Sequence, residues 1–307
     1  MTPPRRRRVL SAGLLGGALL LAACSGSTTP SPAGEASSSV TDGSVAGSAS
    51  GTTAPTSAPT SAPTPAPTSG QPSFSRWRLG ARPLPLRPDG FGQIRPTPRE
   101  LRVRRFATRD LLPPPADGRF HSSIGPVTPA IRRRMGESWS PRCPVPLSGL
   151  SYLNVSFRGF DGKPHTGELV LAAREAADVV SVFRALFAAG YPIEEMRLPT
   201  TADLEAPPTG DGNDTAAMVC RAARGTTRWS AHALGLAIDV NPFLNPYSKG
   251  DLVLPELASA YLDRSRTQPG IIHPGSLIVR EFARIGWSWG GSWHSLKDYQ
   301  HFTATGG

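Results

Sequence analysis

Residues 118–307 predict one small α+β domain of about 190 residues. Three observations point there. Short runs of strand character alternate with Gly- and Pro-bearing turns. Two longer stretches carry apolar residues at helical spacing. The length suits a single core.

The elements follow in order. Thr128-Pro129 opens a short helix within residues 126–136, with Thr128 as its cap and Pro129 at the first helical position. Residues 150–157 (LSYLNVSF) have strand character, Gly159-Phe160-Asp161-Gly162-Lys163 is turn chemistry, and residues 167–172 (GELVLA) read as a second short strand. Over residues 176–189, Val179, Val180, Phe183, Leu186 and Phe187 fall on one helical face, and Gly190 ends the helix. Residues 192–198 predict a strand and residues 200–214 a polar loop. Residues 277–285 predict a helix ended by Gly286. The remainder reads as short strands and loops.

The chain before this domain has a different composition. Its 307 residues include 33 Pro and 32 Gly, unevenly spread. No apolar run is long enough for an ordinary spanning helix, which excludes a polytopic membrane protein. Three cysteines exclude a disulfide-dense miniprotein and a four-cysteine zinc finger. Arg5, Arg6, Arg7 and Arg8 precede a mostly apolar stretch over residues 9–23. As a helix that stretch reaches only about 22 Å, against a hydrocarbon core of about 30 Å, which is signal-peptide length. It ends Leu21-Ala22-Ala23-Cys24, which resembles the lipobox of bacterial lipoproteins. The resemblance implies cleavage after residue 23, lipidation of Cys24, and anchoring to the outer face of the bacterial membrane, facing the wall. Either general or twin-arginine export fits the basic start. Residues 24–74 then read as a Ser/Thr/Pro/Ala-rich tether with too little apolar surface to form a core. Residues 75–117 read as an irregular Arg/Pro-rich linker.

The net charge of +10 is concentrated in one place. Residues 75–142 carry 15 basic and 5 acidic residues, whereas residues 143–307 carry 14 and 16. The basic segment is either solvated or adhesive to anionic lipid or wall polymer. Nucleic acid is not an expected partner, because no binding motif accompanies the charge and the chain reads as exported. In that compartment Cys143 and Cys220 are expected to pair, closing a loop worth ~4–5 kcal/mol on the chain-entropy account; two separate buried thiols are the alternative.

Two stretches carry chemistry: Ser230-Ala231-His232-Ala233-Leu234-Gly235-Leu236-Ala237-Ile238-Asp239, and Asp298-Tyr299-Gln300-His301. Two imidazoles and one carboxylate suit catalytic zinc, which takes three protein ligands and keeps a position for water whose pKa it lowers toward ~7. His232, Asp239 and His301 supply that set. Ala233, Gly235 and Ala237 are small enough for close approach of backbone and substrate. Asp298 lies three residues before His301, so one bend brings a second carboxylate to the site as base and acid. His and Asp seven apart also occur by chance, often as a surface pair.

HxxGxAxD at His232–Asp239 together with DxxH at Asp298–His301 resembles the zinc peptidases of the D-alanyl-D-alanine carboxypeptidase family. The match extends to its branch with the L-alanyl-D-glutamate endopeptidases of phage lysins. Gly159-Phe160-Asp161-Gly162, Gly167-Glu168-Leu169-Val170, Tyr191-Pro192-Ile193 with Met196-Arg197, Asn213, Cys220-Arg221, Asn241-Pro242, Asn245-Pro246-Tyr247 and Trp289-Gly290-Gly291 with Trp293 stand in the expected order. The resemblance implies an antiparallel sheet with flanking helices around a single zinc site, over residues 118–307. It implies Zn²⁺ on His232, Asp239 and His301, and Asp298 as general base and acid. Ser230 is implied to help hold substrate, with a turn-forming serine as the alternative. For the arginine that stabilises the oxyanion, Arg197 is the first choice and Arg221 the second. Thr303 departs from the branch, which often has an acid after His-Phe. His121, His165, His273 and His294 match no ligand position, and Trp287, Trp289 and Trp293 read as core and cleft walls.

The implied function is hydrolysis of peptidoglycan stem peptides, at D-Ala-D-Ala or at an internal L-Ala-D-Glu-type bond. A non-catalytic zinc-containing wall-binding or sensing module is the main alternative, and an intact Asp298 speaks against it. A non-haem iron oxygenase is third, since its acid usually stands two residues after the first His.

Overall fold

The computed structural model describes residues 74–306, all within one of the two compact units of the chain, Pro67–Gly307. The signal peptide, Cys24 and the tether through residue 73 lie outside the described residues. Among the described residues no helix is long and apolar enough to cross a membrane.

Strand β1 (Ser122–Pro126) is followed by helix α1 (Pro129–Met135), which Thr128 caps by accepting the Ile131 N–H. Strands β2 (Leu150–Arg158) and β3 (Pro164–Ala172) form the longest hairpin, and β1 pairs antiparallel on the free edge of β2. The 159–163 turn closes the hairpin with Gly162 at φ 78°. β3 begins at Pro164, three residues before the expected start, because Pro164 to Thr166 continue the ladder opposite Ser156 to Arg158.

Helix α2 (Ala176–Ala188) lays Val179, Val182, Phe183 and Leu186 on the sheet face formed by Leu153, Val155, Leu169 and Leu171. Burying side chains of this kind contributes ~1.5–3 kcal/mol each before entropy is charged against it. Gly190 then turns the chain at φ 69°. The strand expected over 192–198 shrinks to β4 (Glu195–Met196), which pairs in parallel with β5 (Asp214–Thr215). The loop expected over 200–214 holds a short helix, α3 (Thr201–Glu205). Its capping box pairs the Thr200 hydroxyl and the Asp203 carboxylate with each other's backbone N–H.

Two small antiparallel sheets complete the domain. β6 (Ala237–Asp239), β9 (Ser288–Trp289) and β11 (His301–Thr303) form one, with β11 central. β7 (Tyr247–Lys249), β8 (Leu252–Leu254) and β10 (Lys297–Asp298) form the other, with β7 central. Helix α4 (Leu277–Arg284) packs beside them, and Phe282 stacks on Phe302 at 4.1 Å. The α+β class with antiparallel sheets and few helices is thus the observed one.

The segment expected as a linker over 75–117 is irregular, but it is not free of the domain. Leu101 and Phe106 join a core cluster with Phe243, Leu257 and Tyr261. Arg104 is buried and grips Glu194 with two hydrogen bonds of 2.7 and 2.6 Å. Trp77 donates to Asp211 and Thr97 to the Leu257 carbonyl. Asp110 reaches His165 at 2.7 Å. Scattered apolar and polar anchors, each meeting a partner far away in sequence, order the strap without any periodic pattern. Cys143 and Cys220 form a disulfide.

Candidate metal centre and cleft

Asp239 ends β6 and His301 begins β11, and the antiparallel register puts them directly opposite each other. His301 Nδ1 lies 2.9 Å from Asp239 Oδ1. His232 comes from the tight turn that starts at Ser230, where the Ser230 hydroxyl accepts the Ala233 N–H. Its Nε2 lies 3.2 Å from His301 Nδ1 and 3.3 Å from Asp239 Oδ1. One ligand atom from each of the three falls within 4.8 Å of the others.

These spacings fit zinc. Tetrahedral ligands on ~2.0–2.1 Å bonds stand about 3.3 Å apart. The second shell fits too. His232 Nδ1 lies 2.6 Å from the Ala217 carbonyl, which only accepts, so the proton sits on Nδ1 and Nε2 offers its lone pair to the cluster. Burial pushes the Asp239 carboxyl up, yet His232 and His301 outweigh it and hold the group well below the usual carboxylate range. Burial opposes charge on His301, and Asp239 more than restores it.

The small residues between His232 and Asp239 serve packing rather than substrate. Ala233 and Ala237 are fully buried. Gly235 has φ 67°, and a Cβ there would stand 2.5 Å from the Ala172 N, which donates to the Gly235 carbonyl. The motif is thereby seated on β3. After Asp239 the turn is held by two buried asparagines. Asn241 accepts from the Glu194 N–H, and Asn245 donates to the Val240 and Gly270 carbonyls. Thr303, where the resembled branch often has an acid, donates to the Leu236 carbonyl.

Asp298 sits on β10 opposite Tyr247 and is pressed close by Gly290, where a Cβ would stand 2.6 Å from the Asp298 carbonyl oxygen. Its Oδ1 is buried with no hydrogen-bond partner. Burial, and then the charge of Asp239, raise its pKa to about 6. A half-buried carboxylate with one oxygen sealed from solvent is poised to exchange a proton near neutral pH.

The cleft over the cluster has a volume of about 260 Å³, and its walls include Arg221, Arg224, Ser230, Tyr247, Trp293 and Asp298. The structure therefore brings Ser230, His232, Asp239, Asp298, His301 and Arg221 together. It does not bring Arg197, the first choice for the oxyanion arginine, to the cleft. Arg197 is bound by Glu195 at 2.5 Å and by Asp203 at 2.7 and 2.9 Å, and it ties α3 to β4. Those anions already neutralise it. Among the described residues the Arg221 guanidinium has no carboxylate partner and donates only to the Ala222 carbonyl. Trp287 and Trp289 are core residues, while Trp293 stands beside His301 with ring centres 5.4 Å apart. Sequence reasoning missed Arg224 and Gln300 as cleft residues. Arg224 stands only three residues after Arg221 in the segment that leads to Ser230, which was the available signal.

Residues 224–304 match the family model described as D-alanyl-D-alanine carboxypeptidase. No curated protein and no solved structure matches the chain. The family match spans His232, Asp239, Asp298 and His301 and supports a peptidase, and His232, Asp239 and His301 form a cluster that could hold a metal ion.

Proposed function

We propose that the chain is a zinc peptidase that hydrolyses peptide bonds in peptidoglycan stem peptides. The observation that carries this reading is the buried, unpartnered Oδ1 of Asp298 in the same cleft as the His232–Asp239–His301 cluster. A domain that only bound wall peptides would gain nothing from a desolvated carboxylate, which costs stability unless it is used. Zinc, when bound, supplies Lewis acidity that makes water nucleophilic near neutral pH. His232 and His301 would hold the metal with neutral nitrogen donors, and Asp239 would add one negative charge. Asp298 takes the proton from the attacking water and delivers it to the leaving amine. Arg221 stabilises the charge that develops on the carbonyl oxygen, an electrostatic role Arg197 is not placed to play.

The location follows from the N-terminal pattern. Residues 1–23 direct export, Cys24 carries the lipid, and residues 25–74 hold the domain away from the outer face of the membrane, toward the wall. The Cys143–Cys220 disulfide suits an oxidising compartment. The exposed arginines of residues 75–142 hold the strap side against anionic wall polymer or lipid heads, an adhesion that weakens with salt.

The test is mass spectrometry of defined stem peptides incubated with the zinc-loaded exported chain. The strap over 75–117 must be kept, because it is part of the core. Loss of the terminal Ala identifies a carboxypeptidase, and an internal cut identifies an endopeptidase. A folded, zinc-bound protein that cuts neither contradicts the proposal.

A further inference from the structure

Two hollows meet at the metal cluster. The first is the cleft already described; the second, of about 370 Å³, adjoins it and shares Arg224, Asp239, Leu254 and Gln300 with it. Arg224 thus stands on the lip between them. Its guanidinium lies over the ring of Phe91, 4.6 Å from the ring centre. Phe91 belongs to the strap, in a tight turn where Arg87 N–H donates to the Phe91 carbonyl and Gly92 N–H donates to Glu256. Close packing of Gly92, where a Cβ would stand 3.0 Å from Glu256 Oε1, fixes that turn on the domain. The segment expected as a linker therefore builds one wall beside the metal cluster.

Among the described residues Arg224 has no ion pair and no hydrogen bond. The acids that line the second hollow are otherwise engaged. Asp239 Oδ1 meets His301 and His232, Glu256 Oε1 accepts from Gly92, and Asp214 accepts from the Arg197 N–H, its carboxyl pushed well up by burial. The nearby Arg221 also lacks an anion. Arg224 is exposed to solvent at the lip of the cleft. A guanidinium stays charged and presents several N–H donors in a fork that matches a carboxylate. One of the two arginines answers the developing oxyanion. The other has chemistry left for a second negative group on the same substrate.

We propose that Arg224, seated on Phe91 at the lip of the cleft, binds a free α-carboxylate on the residue that departs as the amine. The inference rests on the peptidase reading. It makes the cleft selective for peptide bonds followed by an uncapped carboxylate. Two sources share that chemistry. A terminal D-Ala carries its carboxylate on the carbon next to the scissile nitrogen, and so does a γ-linked D-Glu.

The test uses four peptides: one ending in D-Ala-D-Ala and its C-terminal amide, and one containing L-Ala-γ-D-Glu and its α-amide. kcat/KM is measured with the zinc-loaded exported chain, and equilibrium binding with its Asp298→Asn form, so a readout survives if nothing is cleaved. A charge-assisted carboxylate contact predicts a preference for the acid of about 10- to 100-fold in one pair. The pair that shows it identifies the source. Arg224→Gln should collapse that ratio, Arg224→Lys should keep part of it, and Phe91→Ala should weaken it. Arg228→Gln, a change at an exposed residue of the same loop, should leave it intact. Equal treatment of acid and amide, no binding of either, or a ratio that survives Arg224→Gln overturns the inference. Acid-selective binding without cleavage upholds it and overturns the peptidase reading alone.

Discussion

Asp239 and His301 face each other at one antiparallel register position of β6 and β11, and their side chains meet at 2.9 Å. A backbone ladder, not a flexible loop, therefore sets two of the three candidate ligands. Only His232 comes from a turn, and the Ala217 carbonyl fixes its ring.

Metal content should follow this geometry. Asp239→Ala or His301→Ala removes one of three ligands and should abolish stoichiometric zinc, read by elemental analysis after dialysis. Treatment of the wild type with a chelator should remove activity, and added zinc should restore it. Retention of one zinc per chain by both variants contradicts the assignment.

The role proposed for Asp298 belongs to a different step. Asp298→Asn should keep zinc while lowering kcat about 10²- to 10⁴-fold, the range of a lost general base. A variant with full turnover would assign proton transfer to another group.

The same residues show what the sequence made legible. Helix α2 was readable because five large apolar residues repeat at one face, and the HxxGxAxD and DxxH spacings carried the candidate ligand set. The hairpin of β2 and β3 was readable from its apolar runs and glycine turn. β4 was expected as part of a longer strand, and β5 and β9 were not readable, because two-residue strands carry no period. Arg197 was ranked ahead of Arg221 for its place at the end of an expected strand. Only the fold shows that three nearby acids occupy the surroundings of Arg197. The strap was invisible because its anchors are long-range: Arg104 meets Glu194 across 90 residues.

That anchor yields a stability prediction. Arg104 and Glu194 are both buried, and Glu194 also accepts from Asn213. Arg104→Ala leaves a buried carboxylate without its cation and should cost about 3–5 kcal/mol in urea unfolding. The double variant Arg104→Ala/Glu194→Ala should lose less than the sum of the single changes. An effect under ~1 kcal/mol for Arg104→Ala would show that the strap is dispensable.

Acid should weaken the hairpin turn. Burial raises the Asp161 carboxyl, but His165 and the Lys163 N–H outweigh it, so its folded-state pKa lies below the ordinary 3.8. A depressed pKa means that the folded state binds the proton less readily than the unfolded one. The stabilisation is complete above about pH 4 and is lost as pH falls through the folded value. Urea midpoints measured from pH 5 to pH 2 should fall, and Asp161→Asn should flatten part of that slope. An unchanged slope in the variant refutes this assignment.

The central claim is that one cleft unites a zinc site on His232, Asp239 and His301 with the proton-transferring carboxylate of Asp298. Its most direct measurement reads zinc content and stem-peptide turnover on the same samples of wild type, Asp239→Ala and Asp298→Asn. The account predicts zinc and cleavage in the wild type, neither in Asp239→Ala, and zinc without cleavage in Asp298→Asn. Cleavage that persists in the zinc-free Asp239→Ala protein, or at full rate in Asp298→Asn, would contradict it.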